Sequence, residues 1–577
     1  MNKPLLENSP AGQESAKVGV AATLRGAAKA LIGLNLGARL AASSAEVRGH
    51  RTRLLAGFIA SRLLLVVAVA GIVWFGVNYA TMSDALLVTI ILIVGMFGLM
   101  AIGVSVSVAI GLPAALSLVI VMQDGDQGVY TAAQKMFDGI DNFSLLCIPL
   151  FVLAGVIMNQ GGIAARLIDL AKAITGQVPG TLMHTNVLAN MMFGAISGSS
   201  LACASAVGSV LGPTQEKDGY DMKVAAAVNV ASAPSDALIP PSNTIIIYAM
   251  VSNASMGALF LAGYVPGILW GLTCMALVAV FCFRNKRLKG KPHPPIREGL
   301  RIFWRAVPSL LLVIIVIAGI LTGQFTPTEG SGVAVAYALI LSFIYGTIKP
   351  RDLGRILLNA TRTSSVVLFL IGLSTIMSFA MTYAGLPRLI AEWVIDVTGG
   401  SKVGFLMLMM VILLIIGIPL DATPAVLIFT PIFLPIAMAE PFNIHPVHFG
   451  IFLVFNMGIA VITPPSAPVL FVGARVVGLK VEQVIRPLMP YFLALIGCLI
   501  LVQFVPELTM WLPQAFGMVD DWAALQAATP PLGIGSWVIV IAAIAACFAG
   551  ATAMILRDRK KAMSEFGPLE ARVGTTP

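Results

Sequence analysis

Long apolar runs, separated by short polar or basic turns, fill the chain from Leu54 to about residue 556. Continuous runs of this kind read as membrane-spanning helices of about 20 residues each. Strict alternation of apolar and polar positions, the mark of a membrane β-barrel, does not occur. Residues 54–80 fit one span. Residues 86–122 are too long for one and carry Gly103, Gly111 and Pro113, so two spans, or a span plus a broken one, are expected there. The apolar stretch 144–158 leads into an amphipathic segment, 163–175. Further spans are expected at about 257–283, 306–323, 331–347, 364–384, 403–419, 486–508 and 536–556, with a polar stretch at 509–533 before the last.

The apolar pattern is interrupted at matching places in two halves. Ser197-Gly198-Ser199-Ser200 and Leu420-Asp421-Ala422-Thr423-Pro424 each precede a Pro-Pro-Ser break, Ile239-Pro240-Pro241-Ser242 and Thr463-Pro464-Pro465-Ser466. Gly198 and Pro240 are 42 positions apart, and Asp421 and Pro464 are 43 apart. Paired breaks of this kind mark the binding site of a secondary transporter built from inverted repeats. Free backbone groups at membrane depth must be buried in protein or line a cavity. The expected fold is an all-α polytopic membrane protein of two inverted-topology repeats, each with a re-entrant helical hairpin and a broken helix. The hairpins fall at about 180–214 and 403–440; the first broken helix spans about 223–250, interrupted at Ala233-Pro234-Ser235-Asp236, and the second runs to about 476.

Composition agrees. The chain is 58% hydrophobic and 11% charged, with mean hydropathy +0.93, against about 25% charged residues in soluble domains. The net charge of +9 does not indicate a nucleic-acid partner, because the basic residues cluster beside apolar spans, as cytoplasmic loops do. Residues 284–305 hold eight Lys/Arg and one acid, Glu298. A second basic turn carries Lys349, Arg351, Arg355 and Arg362, and the tail opens with Arg557, Arg559, Lys560 and Lys561. Residues 1–53 form a basic cytoplasmic segment, part of which (about 20–41) suits either a surface helix or a plain tail. No cleavable signal peptide is expected. Reporter fusions after residues 50, 295 and 565 should therefore all report the cytoplasm; a periplasmic signal at 565 would mean that the last apolar run does not span.

Several positions carry chemistry. Ser197, Ser199 and Ser200, around Gly198, offer hydroxyl and carbonyl oxygens suited to a hard alkali cation; small-residue helix packing is the plainer alternative. Asp421 is stronger, since a carboxylate at bilayer depth costs about 2.5–3.5 kcal/mol; a helix-end residue at the interface is its alternative. Asp421 lies between Leu420 and the apolar run Ala425–Phe429, next to Thr423 and Pro424. Each Pro-Pro pair removes two backbone donors. His445 and His448 flank Pro446 and read better as a turn than as a metal site. The six Cys lack metal-ligand spacing and read as small buried hydrophobes. No Walker A sequence, Gly-x-Ser-x-Gly elbow or nucleophile–base pair at depth points to an enzyme.

The runs Ile148-Pro149-Leu150-Phe151, Gly194 to Ser200, Gly219-Tyr220-Asp221, Ile239 to Ser242, Phe325-Thr326-Pro327-Thr328-Glu329, Asp421 to Pro424 and Thr463 to Ser466 resemble, in order and spacing, the large membrane subunit of tripartite ATP-independent periplasmic (TRAP) transporters. The resemblance covers about residues 86–512. It implies an elevator-type transporter of the bacterial inner membrane that imports a small organic acid with sodium. It also implies a small membrane subunit (DctQ-like) and a periplasmic substrate-binding protein (DctP-like) as partners. The sodium sites would lie at Ser197–Ser199 with Pro240–Ser242, and at Asp421–Thr423 with Thr463–Ser466. Two departures are visible. An additional N-terminal span (54–85) and an additional C-terminal segment (513–577: periplasmic stretch, span, basic tail) flank the core, and one extra N-terminal span is too few for the usual small subunit. Acid-carrying members of the family place an Arg shortly before the Pro corresponding to Pro387; here that position is Tyr383. Arg475 and Arg388 are then the available cations for a substrate carboxylate, with Tyr383 shaping its polar side, and an interfacial anchor is the alternative for Arg475. A stand-alone ion-coupled transporter of similar fold is the alternative function.

Overall fold

The computed structural model describes residues 83–122, 125–282, 295–418, 420–464, 467–520, 522, 524–525 and 533–565. The chain divides at Met82/Ser83 into two units, and the described helices belong to the second. Segment 1–53, the span expected at 54–80 and loop residues 284–294 lie outside the described residues.

Among the described residues every regular element is helical. In order, α1 (Asp84–Ile102), α2 (Val106–Val121), α3 (Gly125–Ile140), α4 (Cys147–Gln160) and the amphipathic α5 (Ile163–Thr175) lead into the first hairpin, α6 (Thr181–Ser197) and α7 (Ser200–Lys217). The first broken helix is α8 (Met222–Ser232), a 3-10 turn (Ala233–Ala237) and α9 (Asn243–Ser252), followed by α10 (Met256–Cys282). The second half runs α11 (Ile296–Leu321), α12 (Pro327–Ile344), α13 (Leu353–Tyr383) and the amphipathic α14 (Leu386–Thr398). Its hairpin is α15 (Lys402–Gly417) and α16 (Ala422–Met438), its broken helix α17 (Pro446–Ala460) and α18 (Pro468–Val476), closed by α19 (Val481–Phe504). Helices α20 (Glu507–Ala515) and α21 (Ile534–Glu565) complete it. The order span, amphipathic helix, hairpin, broken helix, span occurs twice. Among the described residues seven helices are long and apolar enough to cross a membrane, or eight if the bent pair α14–α15 counts as one. That pair turns by 117°, and α15 is followed across the break at Asp421 by α16.

The family-like motifs mostly define helix ends. Thr326 and Glu329 form a reciprocal capping box, with the Thr326 N–H 2.8 Å from Glu329 Oε2 and Pro327 at the first helical position of α12. Gly219 turns at φ +75°, Asp221 caps α8, and the buried Tyr220 hydroxyl accepts the Leu182 N–H at 3.3 Å, pinning the base of the first hairpin. Burial pushes the Tyr220 phenol up to about 12.

Helices α11 and α13 start ten and eleven residues before their apolar runs. The apolar window marks only the membrane-facing part, while Arg, Leu and Glu in the basic turns are good helix formers. Helix α3 departs from the apolar pattern: Asp126, Lys135 and Asp138 interrupt its hydropathy, yet Gly128 and Ala132, four apart, are buried. Helix α20 starts two residues before the stretch expected to be polar, 509–533, and fills its first seven residues.

Two groups of helices result. In one, α13 packs against α2, α3 and α4, and α12 against α4 and α11. In the other, the hairpins and broken helices exchange partners between halves: α7 packs on α18 and α9 on α16, while α8 packs on α19 and α17 on α10. Such reciprocal pairing is what two related repeats produce. Buried polar links lock it. Trp270 Nε1 on α10 donates to Ala231 O of α8 at 2.9 Å, and its ring lies 4.7 Å from that of Phe455 on α17. The Tyr248 hydroxyl of α9 donates to Pro446 O at 2.6 Å.

Candidate functional site

The first break is assembled from a hairpin tip and an unwound helix. Gly198, at φ +57°, ends α6, a conformation glycine adopts without strain. Ser199 caps α7, its Oγ accepting the Ala202 N–H at 3.4 Å. Ser197 Oγ lies 3.2 Å from Cys203 Sγ. Opposite, the chain leaves α8 through the 3-10 turn and passes Pro240-Pro241. It re-enters a helix at Ser242, whose Oγ donates to Ala237 O at 2.6 Å and accepts the Ile245 N–H at 3.4 Å. The two pieces touch directly. Asn243 Nδ2 donates to Gly198 O at 3.1 Å, and Ser200 Oγ donates to Asp236 Oδ1. Gly194 admits this approach: a Cβ there would stand 2.7 Å from Asp236 Cβ. The Gly198 carbonyl and Ser200 of the tip are thus brought to Asn243 and Asp236 of the break, with Ser197 and Ser199 beside Gly198 in the chain, Ser242 beside Asn243, and Pro240 two residues before Ser242. Asp236 is only 2% exposed.

At the second break Asp421 caps α16, with the Ala422 N–H donating to Oδ1 at 2.9 Å, and the residue is exposed. Thr423 follows in the first turn of α16. Thr463 is half-buried and its hydroxyl donates back to Ile459 O at 2.8 Å. Ser466 and Pro465 lie outside the described residues. The cap of α18 is Ala467, whose side chain has no acceptor and makes no cap bond, with Pro468 at the first helical position. The two breaks therefore match in placement but not in capping chemistry. Each broken helix also carries a buried Asn within its first segment. Asn229 Nδ2 donates to Ala204 O at 2.7 Å and Asn456 Nδ2 to Met410 O at 3.2 Å, each tying the break to its own hairpin.

A cavity of about 520 Å³ opens between α2, α13 and the start of α16. Ser105 and Ser107 line it from the start of α2, Asp421 and Thr423 from α16, and Arg362, Thr363, Val366 and Leu370 from α13. Arg362, Val366 and Leu370 are four apart and share one helix face. Arg362 is the tenth residue of α13, about 14 Å along it, so it projects from within the helix and not from the basic turn to which the sequence pattern joins it.

Sequence comparison fits this geometry. The family model for the DctM component of the tripartite ATP-independent periplasmic transporter matches residues 93–508. The chain belongs to the TRAP transporter large-subunit (DctM) family. It is 47% identical over 435 residues to the uncharacterized protein YgiK of Salmonella typhimurium, covering 74% of this chain and 98% of that one. It is 36% identical to the C4-dicarboxylate TRAP transporter large permease protein DctM of Pseudomonas aeruginosa, with 71% and 95% covered. The sialic acid TRAP transporter large permease protein SiaM of Vibrio cholerae is 34% identical, with 70% and 96% covered. As a TRAP large component with this set of apolar helices, the chain is a multi-pass protein of the inner membrane.

The cations expected to meet a substrate sit elsewhere than this cavity. Arg388 projects from α14, 87% exposed, and pairs with Glu392 at 2.9 Å. Arg475 is in the last turn of α18 and exposed. Tyr383 ends α13, 53% exposed, with its ring 6.0 Å from that of Phe379. None of the three lines the cavity. His445 caps α17, and His448 Nδ1 is 2.8 Å from Thr509 Oγ1.

Proposed function

We propose that this TRAP large component imports a small organic acid by sodium-coupled transport, working with a small membrane subunit and a periplasmic substrate-binding protein. The observation that supports the reading is the polar contact of the first hairpin tip with its helix break, where Asn243 meets Gly198 O and Ser200 meets Asp236, together with the matching hairpin break capped by Asp421 in the second half. Sodium would be held at the first by Ser197, Gly198, Ser199, Pro240 and Ser242, with the Asp236 carboxylate beside them. It would be held at the second by Asp421, Thr423, Thr463 and Ser466. Hydroxyl, carbonyl and carboxylate oxygens suit a hard cation, and the N-termini of α7, α9 and α16 lie at these breaks with their positive dipole ends available to an anion. An organic acid as cargo is supported by relatives whose names specify a C4-dicarboxylate and sialic acid. The division into an α13-centred group and a hairpin group supports an elevator movement of the second against the first.

The test is uptake of radiolabelled acids into proteoliposomes containing the chain with a co-purifying small helical membrane protein and a secreted binding protein from the same gene cluster. Uptake should require an inward sodium gradient and all three components. Binding-protein-independent uptake by the chain alone would instead establish the stand-alone transporter, and drive by protons without sodium would remove the sodium assignment.

A further inference from the structure

We infer that the root of the first amphipathic arm, where α4 turns into α5, is an anchor clasped by the end of α12, and that the hairpin group turns about this fixed point. The inference rests on the elevator reading above and places its pivot.

Two adjacent glycines, Gly161 and Gly162, join α4 to α5, and Gly162 turns at φ +69°. Such a pair reads as a hinge, since glycine bends freely. Its surroundings remove that freedom. From the turn that follows α12, the Thr347 hydroxyl donates to Gly161 O at 2.9 Å. A Cβ on Gly161 would run into the Ser342 hydroxyl of α12, and one on Gly162 would stand 3.1 Å from Thr347 Cγ2. Arg166, in the first turn of α5, donates to Gly162 O at 2.9 Å and holds its guanidinium 3.3 Å from the centre of the Tyr345 ring. The ring face attracts the cation, and the guanidinium plane suits stacking on it. Ser342, Tyr345 and Thr347 lie at the end of α12, which packs on α4 in the α13-centred group. The root of α5 is thus held by the group that stays still.

Among the described residues no such clasp holds the second arm. Gly385, at φ +73°, joins α13 to α14, and a Cβ there would meet no described atom within 4 Å. Arg388, in the first turn of α14, pairs with Glu392 of its own helix. The hairpin tips share the asymmetry. A Cβ on Gly155 of α4 would stand 3.1 Å from Ser197 O of the first tip. The second tip is parted from α13 by the cavity of about 520 Å³. The still end of the motion therefore lies in the first half.

The pair Gly162→Cys and Thr347→Cys tests this, because the two Cβ positions lie 4.0 Å apart, within the span of a disulfide. The full chain is reconstituted in proteoliposomes with its co-purifying small membrane protein and binding protein, and the parent treated with the same oxidant is the control. The disulfide should form at one rate in sodium chloride and in choline chloride. The oxidised form should take up radiolabelled succinate or sialic acid as fast as the reduced form. Uptake lost on oxidation and regained with dithiothreitol would make the joint a hinge and overturn the inference. A salt-dependent rate of disulfide formation, or thiols that never join, would overturn it too. A second set of variants serves if the cysteine pair does not fold, as thermal unfolding will show. Arg166→Ala and Tyr345→Leu should each slow uptake about three- to thirtyfold, with no further loss in the double variant. Tyr345→Phe should match the parent, because the Tyr345 hydroxyl has no hydrogen-bond partner among the described residues. Faster uptake in Arg166→Ala, as release of a latch gives, or losses that multiply in the double variant would overturn the anchor. Absence of uptake of any acid by the parent would remove the proposed function, while the rate of disulfide formation would still test the joint.

Discussion

Asp421→Ala is expected to reduce sodium-driven uptake to background, a loss of about two orders of magnitude or more, while the chain remains folded. The two effects separate because Asp421 does two things. As the cap of α16 it accepts one N–H, from Ala422, and losing such a cap costs about 1 kcal/mol. The residue is exposed to the cavity, so its removal opens no void in the core. As the only acid among the described residues lining the second break's cavity, it is the group that makes a cation there favourable. Without it, Thr423 and Thr463 supply only neutral oxygens. Thermal unfolding in detergent and gradient-driven uptake should be measured on the same preparation. Uptake at the wild-type rate would remove Asp421 from the coupling mechanism, and a collapsed unfolding midpoint would make the cap its main role.

Several site residues have this double character, and it explains what could be read from the sequence. Ser199, Ser242 and Asp421 are all helix caps. Ser and Asp beside Gly or Pro, inside apolar runs, advertise a helix end whether or not a ligand is bound there. The breaks were therefore legible, as was their pairing, since the spacing recurs. The cations were not. Arg362 follows Arg351 and Arg355 in sequence and looks like part of their turn, but helix α13 begins at Leu353 and places it, exposed, on the helix face that lines the cavity. Its spacing to Val366 and Leu370 was the available signal, and periodicity alone does not say which neighbour a face meets. Arg388 looks free for a substrate in the sequence, but Glu392, one turn on, pairs with it. Asp236 stands in a stretch legible as an interruption, yet only the fold brings Ser200 of the hairpin tip to its carboxylate. Helix α3 is hidden because charge dilutes its hydropathy.

The same tip gives the sharpest test of the fold. Gly194→Ala and Gly332→Ala make identical changes inside helices α6 and α12, so each should gain the same helix propensity, about 0.5–1 kcal/mol. Their surroundings differ. Nothing stands within 4 Å of a Cβ at Gly332, whereas one at Gly194 would be 2.7 Å from Asp236 Cβ and 2.9 Å from Asp236 Cα. The latter is backbone, in a fully buried 3-10 turn, and cannot swing aside as a long side chain would. Either the hairpin tip lifts from the break or the turn shifts, and overpacking of this kind costs about 1–3 kcal/mol. Lifting the tip would also part Ser200 from Asp236 and Gly198 O from Asn243, separating the oxygens proposed to hold sodium. Gly332→Ala should then be as stable as the parent or slightly more so, with normal uptake. Gly194→Ala should unfold at a lower temperature and transport poorly even where it remains folded. Equal unfolding midpoints and equal uptake for the two variants would mean that the first hairpin does not seat against the Ala233–Ala237 turn in the membrane.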